Sequence, residues 1–429
     1  MVTPSKPLLL VPLLLPALLL QSYVHAQHTQ LDDTLLPLYR PLRNLITQLT
    51  SSHSSDDQRH VERIRSMGKT QTSGQRARSL TPFCDARNGP GKRSAHPPSS
   101  VHRLRPGDID IIGAMGDSLT AGNGIFASRL SDLLRENRGA VFSIGGQGTW
   151  RQFLTLPNIL KEFNPNLYGY SLRDGFTTDR SSKFNVAELG AMSRDVPYEA
   201  KMLVKRLQRD PKVNMTHDWK VITLLIGAND FCTDICYQAN PKDTITWHEQ
   251  NMLTTYRYLR DNVPRLLLNV VPPPNLGFLA RLTGLPAGCR SLLPFKCPCM
   301  YGKNKKHLDY FEGIIKEWIA KDFEVAARDE FNTETFTINV HPFSFFKDLI
   351  RRSNGFSDTH FLSQDCFHLS QLGQAAIANG LWNNMLETAN EKSSFPSVIF
   401  EKFRCPTEAR PYLMTRMNSN QDFQLPTLD

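Results

Sequence analysis

Residues 109–115, IDIIGAM, form an apolar run that breaks abruptly into Gly116, Asp117 and Ser118. A short apolar run bounded by turn residues reads as a buried strand, and the break leaves one hydroxyl at the strand's carboxyl end. Four further segments share this character: FNVA at 184–187, VITLLIGA at 221–228, RLLLNVV at 265–271 and TFTINV at 335–340. Between them lie stretches of helical periodicity that begin at Ala127, Val196, Ile245 and His307, and a last one begins at Ser370. Strands alternating with helices specify an α/β fold with a mostly parallel five-stranded sheet covered on both faces. Open sheets of this kind gather their chemistry outside the carboxyl ends of the strands, which is where Ser118 falls.

The flanks have a different composition. Lys6 precedes an apolar run of 13 residues, Leu8 to Leu20, interrupted by two prolines and followed by the small-residue pattern VHA at Val24–Ala26. Crossing a bilayer takes roughly 20 apolar residues, so residues 1–26 read as a cleaved signal peptide rather than an anchor. Residues 27–100, rich in Ser, Arg, His and Gln, read as a flexible polar leader or propeptide whose one helical patch lies near Leu31 to Leu45. The folded domain is expected over 101–392, with 393–429 as a polar C-terminal extension. The net charge of +9 comes from 50 basic against 41 acidic residues. That is a mixed surface with no dense basic tract beside stacked aromatics, which gives no footing for nucleic-acid binding.

Secretion changes the meaning of the eight cysteines, because an oxidising compartment favours disulfides. Cys84, Cys232, Cys236, Cys289, Cys297, Cys299, Cys366 and Cys405 make an even set whose connectivity the spacing leaves open. The cluster Cys297, Cys299 and His307 admits a zinc reading but lacks a second pair at zinc-finger spacing. Asn214, in NMT, is a candidate glycosylation acceptor on the same secretory route.

A serine hydroxyl becomes a nucleophile only when a base takes its proton, and the base is usually oriented by an acid. SQDCFHLSQLG supplies both, with Asp365 three residues before His368 and Ser370 placed to cap the final helix. His341 has no acid beside it, and His360 has Ser357 three residues before it, with Asp358 only two away. An oxyanion needs hydrogen-bond donors at the place where negative charge develops. Asn229, after the strand LLIGAND, and Gly190, after FNVAEL, are candidates together with the Ser118 N–H, while Gly146 in SIGGQG is a rival glycine. Asp117 reads as a turn-stabilising side chain. The elbow G-x-S-x-G does not apply, since Thr120 stands where its second glycine would be.

Taken together, GDSLTAGNG, NVAELGA, GAND and DCFH, in that order and at that spacing, resemble the GDSL or SGNH hydrolase superfamily. SIGGQGTW, LPNILKEFNPNLYGYS and DTHFLSQDCFHLSQLG bring the chain closer to its phospholipase B branch, and the likeness runs over roughly residues 80–390. The resemblance implies a flavodoxin-like three-layer sandwich, Ser118 as nucleophile, Asp365 and His368 completing the triad, and Gly190 and Asn229 as oxyanion donors. It implies no cofactor and no metal. The expected activity is release of fatty acids from glycerophospholipids and lysophospholipids, with a lipid ester as partner and transient contact with a membrane surface. Other acyl esters, such as acylglycerols or retinyl esters, and a non-catalytic lipid-binding role are the alternatives. Members of the branch that are membrane-associated carry several repeats and a C-terminal anchor. This chain shows one repeat and no anchor, so a secreted product is expected.

Overall fold

The computed structural model describes residues 55–71, 84–344, 351–394 and 399–419, together with the isolated helical positions 41 and 45. The signal-peptide segment and most of the helical patch at 31–45 lie outside the described residues. In chain order the main elements are α1 (Gln58–Ser66), β1 (Ile109–Gly116), α2 (Leu156–Phe163), α3 (Val196–Arg209), β2 (Trp219–Leu225) and α4 (Asp243–Asn262). They continue with β3 (Leu266–Val271), α5 (Ala287–Lys296), α6 (Leu308–Ala326), β4 (Asn332–Thr333), β5 (Phe336–Val340) and α7 (Gln371–Leu386).

The sheet runs in the order β1-β2-β3-β5-β4. The three pairings from β1 to β5 are parallel, and the two-residue β4 folds back antiparallel on β5. Successive side chains of a strand point to opposite faces, and β1 shows the consequence. Ile111 and Met115 join one core with α3, α4 and α6, whereas Ile112 and Ala114 join a second core with α2 and α7. Two cores on either side of one sheet make the three-layer α/β sandwich that the sequence implies.

Three elements depart from expectation. FNVA at 184–187 is not a strand but a single bridge, Ala114 to Asn185, on the outer edge of β1. The segment follows β1 only briefly: Ala114 N donates to Phe184 O and Val186 N to Ala114 O, both at 3.0 Å, but Gly116 N turns to Glu199 instead, and Arg138 takes the outward carbonyls Asn185 O (3.2 Å) and Ala187 O (2.8 Å). The fifth strand is therefore β4, too short to leave a hydrophobic pattern. The stretch from Ala127 forms a 3₁₀ turn at Leu130–Leu134 rather than an α-helix, because Asp132 accepts the backbone N–H groups of Ser128 and Arg129 at 3.0 Å each, a local bond that competes with the helical ladder.

The folded unit reaches beyond 101–392. Asp57 caps α1, Ile64 is fully buried, and Gln71 donates to Trp150 O (3.1 Å) and accepts from Leu154 N (2.8 Å). A disulfide, Cys84–Cys405, ties both flanks together. Isolated apolar anchors (Ile64, Ile399, Leu413), polar side-chain bonds and one crosslink hold these segments, without the periodic run that an apolar-pattern reading needs.

Candidate active site

β1 ends at Gly116 with φ at +140°. A Cβ there would come within 2.2 Å of Leu225 O, so only glycine lets β1 leave β2 at this angle. Gly116 N donates to Glu199 Oε2 (2.7 Å), a fully buried carboxyl on α3 that burial pushes well above the carboxylate range. Asp117 is buried as well, and its Oδ1 accepts Leu119 N (2.8 Å), which caps the helical turn Ser118–Ala121. Burial pushes the Asp117 carboxyl up to about 7, against the opposing pull of the Leu119 N–H and of His368. Asn185 Nδ2 holds Thr120 O (2.8 Å) and Gln374 Nε2 holds Leu119 O (3.2 Å), fixing the turn from both layers.

Ser118 Oγ lies 2.9 Å from His368 Nε2, and His368 Nδ1 lies 2.7 Å from Asp365 Oδ2. Asp365 is fully buried; its Oδ1 also accepts the N–H groups of Phe367 (3.1 Å) and His368 (3.0 Å). Burial alone would raise this carboxyl, but the charge and hydrogen bonds of His368, with Lys296 at 3.9 Å, hold it well below the usual aspartate range. An ionised carboxylate only accepts, so Nδ1 is the donor and Nε2 is left as the acceptor facing the serine hydroxyl. The rival histidines lie elsewhere: His341 Nε2 bonds Asn269 Oδ1 (2.8 Å), and His360 pairs with Asp358 (2.7 Å).

The remaining sequence candidates stand at neighbouring strand ends. Val186 N donates to Ala114 O and Glu188 N to Gly116 O, both at 3.0 Å, which carries the edge segment to Gly190 beside the end of β1. Gly190 has φ +83° with open space where a Cβ would sit. Asn229 follows β2, and its Nδ2 donates to Ala191 O (2.8 Å), joining the two turns and leaving its second amide hydrogen for another acceptor. Gly146 instead packs under Tyr170, whose ring a Cβ would meet at 2.0 Å.

A narrow apolar cavity of about 60 Å³ opens beside the triad. Leu119, next to the serine, and Phe367 and Leu369, which flank the histidine, form one wall; Ala228, Phe278 and Ile377 are among the residues that close it.

Two residues outside the triad help place the histidine, and sequence reasoning missed one of them, Lys69. Cys366, between acid and base with φ +54°, is bonded to Cys289 on α5. Lys69, from the segment read as a leader, donates to Ser363 O (3.0 Å); burial lowers its pKa to about 8, partly offset by Asp365. The cysteine inside the D-x-x-H turn was a readable signal, but the lysine left none. The other pairs are Cys232–Cys297 and Cys236–Cys299, so the cysteines of the zinc reading are disulfide-bonded. Among the described residues no helix is long and apolar enough to cross a membrane.

The structure brings Ser118, His368 and Asp365 together, buried at the carboxyl edge of a mostly parallel sheet and beside an apolar cavity, which defines an α/β protein with a Ser–His–Asp constellation. The chain belongs to the GDSL-like lipase/acylhydrolase family, whose model matches residues 112–381. It is similar to membrane-associated phospholipase B1 of Homo sapiens (36% identity over 338 residues) and of Mus musculus (37% over 335). In each case 76% of this chain is covered but only 23% and 22% of the relative, so the chain spans about a quarter of their length. Among solved structures it is similar to a phospholipase A1 from Streptomyces albidoflavus NA297, at 15% identity and a TM-score of 0.30, covering 62% of this chain and 94% of that one.

Proposed function

We propose that this chain is a serine ester hydrolase of the phospholipase B type, releasing fatty acids from glycerophospholipids and lysophospholipids. The observation that carries this reading is the unbroken Asp365–His368–Ser118 relay beside the apolar cavity. Ser118 Oγ attacks the ester carbonyl while His368 Nε2 takes its proton, and Asp365 stabilises the imidazolium that results. The Ser118 and Gly190 N–H groups and the free amide hydrogen of Asn229 receive the negative charge on the carbonyl oxygen. His368 then returns its proton to the leaving alcohol oxygen as the carbon–oxygen bond breaks, which leaves the acyl group on Ser118 beside the apolar cavity. Water deprotonated by His368 attacks the acyl-serine and frees the acid.

The four disulfides fit an oxidising compartment. They support the proposal that residues 1–26 are a cleaved signal and that the product is secreted. Asn214 is exposed in the turn before β2, at the amino ends of the strands, so a glycan there leaves the cavity clear.

A fluorophosphonate probe tests the nucleophile: labelling of the wild type and its loss in Ser118→Ala are expected. Fatty-acid release from phosphatidylcholine, lysophosphatidylcholine, an acylglycerol and a retinyl ester then ranks the substrates. Labelling without turnover of any of them would overturn the substrate assignment, and no labelling would overturn the enzyme itself.

A further inference from the structure

α5 turns Cys289 and Leu293 inward, where both are buried, and presents Phe295 outward at 83% exposure. Single exposed apolar residues are common on soluble proteins and carry no meaning alone. Here the ring cannot retreat. Cys289 is bonded to Cys366, and Cys297, directly after the helix, is bonded to Cys232. Beside α5 runs a surface groove that includes Leu285, Arg290 and Pro294 and shares Leu279 with the apolar cavity. Phe356, itself 49% exposed, lies against Gly284 at the groove's rim.

The stretch of chain that carries this face has charge of one sign. From Pro272 to His307 the chain holds six cations, Arg281, Arg290, Lys296, Lys303, Lys305 and Lys306, and no acidic residue. Arg281 pairs with Glu312, while the three lysines after Cys299 lie on the turn Gly302–His307, where no side chain is buried. An aromatic ring held proud of a cationic collar matches a layer of anionic headgroups over acyl chains.

We propose that α5 is the docking face for a phospholipid bilayer, with Phe295 entering the acyl layer and the surrounding cations meeting the phosphates. The inference rests on the lipid-hydrolase reading above, because it sets the cavity mouth against the surface from which substrate would come. Asn214 lies at the opposite end of the sheet, where a glycan does not obstruct the approach.

Vesicle co-sedimentation of the full chain carrying Ser118→Ala separates binding from turnover. Vesicles of phosphatidylcholine with phosphatidylserine should bind it more than phosphatidylcholine alone, with the difference lost at high salt. Adding Phe295→Ser should lower the bound fraction about fivefold or more, and Phe295→Trp should shift its emission to the blue only when vesicles are present. In the active chain, Phe295→Ser should leave turnover of a soluble short-chain ester within about twofold, which reports an intact site. Equal vesicle binding with and without Phe295, or no preference for the anionic vesicles, would overturn the proposal. So would a concentration-dependent dimer that Phe295→Ser abolishes without vesicle binding, since the face would then fit a second copy of the chain. If no ester is hydrolysed but the vesicle results hold, the enzymatic reading fails and the docking face stands.

Discussion

Ser118 and His368 meet across 250 positions of chain, and the structure holds them by different means. The serine grows out of the sheet: β1 pairs along β2 up to Gly116, and Glu199, Asn185 and Gln374 pin the backbone on either side of it. The histidine sits on an irregular loop, closed by Ser363 N donating to His368 O (2.7 Å) and tied to distant segments through Lys69, through Ser363 Oγ on Gly124 O (2.6 Å) and through the Cys289–Cys366 bond. Their acids differ in the same sense. Asp117 is pushed up to about 7 by burial, whereas Asp365 is held well below its ordinary value by its partners despite burial. One half of the site depends on the strand ladder and on carboxyls that burial pushes toward the protonated form. The other depends on crosslinks and one ionised carboxylate.

The largest effect should come from the ionised carboxylate. Asp365→Asn replaces an acceptor-only group with an amide that permits the wrong imidazole tautomer, and kcat on a soluble ester should fall about 10⁴-fold, as in other serine triads. A loss below about tenfold would mean that the histidine is oriented without its acid, and the contrast between the halves would collapse. Next is Asn229→Ala, which removes one oxyanion donor and should lower kcat about 10²–10³-fold with KM little changed. An effect on KM alone would place the Asn229 amide on ground-state substrate instead.

The same contrast explains what could be read from the chain. β1, the GDS turn, α3, α4, α6 and α7 follow from periodicity and turn chemistry confined to neighbouring residues, and so do the candidacies of Ser118, Asp365 and His368. What escaped was decided at long range. FNVA has strand composition, yet Gly116 N donates to Glu199 on α3 instead of extending a ladder with it. α2 went unread because its eight residues, opened by Thr155 as a cap and with a proline in the first turn, show too little periodicity. Lys69 and Gln71 belong to a polar stretch whose burial depends on partners some 80 to 300 positions away. The disulfide pairing likewise needs the fold first.

Breaking the crosslink tests the loop directly. Replacing both Cys289 and Cys366 with serine should cost about 2–4 kcal/mol of stability, read as a lower Tm, and lower kcat about tenfold by loosening His368. Amide exchange should quicken over residues 363–369 and stay slow in β1. Equal quickening in both places would show that the two halves are one cooperative unit.

The smallest kinetic effect, and the sharpest test of the acid contrast, belongs to Asp117→Asn. The amide oxygen can still accept Leu119 N, so kcat should change by no more than about threefold. Stability should respond through proton linkage. The folded state prefers protonated Asp117, so this group costs the wild type stability as pH rises from the ordinary aspartate value near 3.8 to about 7, after which the loss is complete. Asparagine carries no such penalty. The variant should therefore unfold like the wild type near pH 4 and be more stable by on the order of 4 kcal/mol at pH 8, which thermal melts across that range would resolve. Asp365 has the opposite sign: its contribution is complete above the ordinary aspartate value and is lost only as pH falls toward its lowered folded value. A pH-independent difference between Asp117→Asn and the wild type would mean that Asp117 is ionised where it stands, and the two acids would then no longer be opposites.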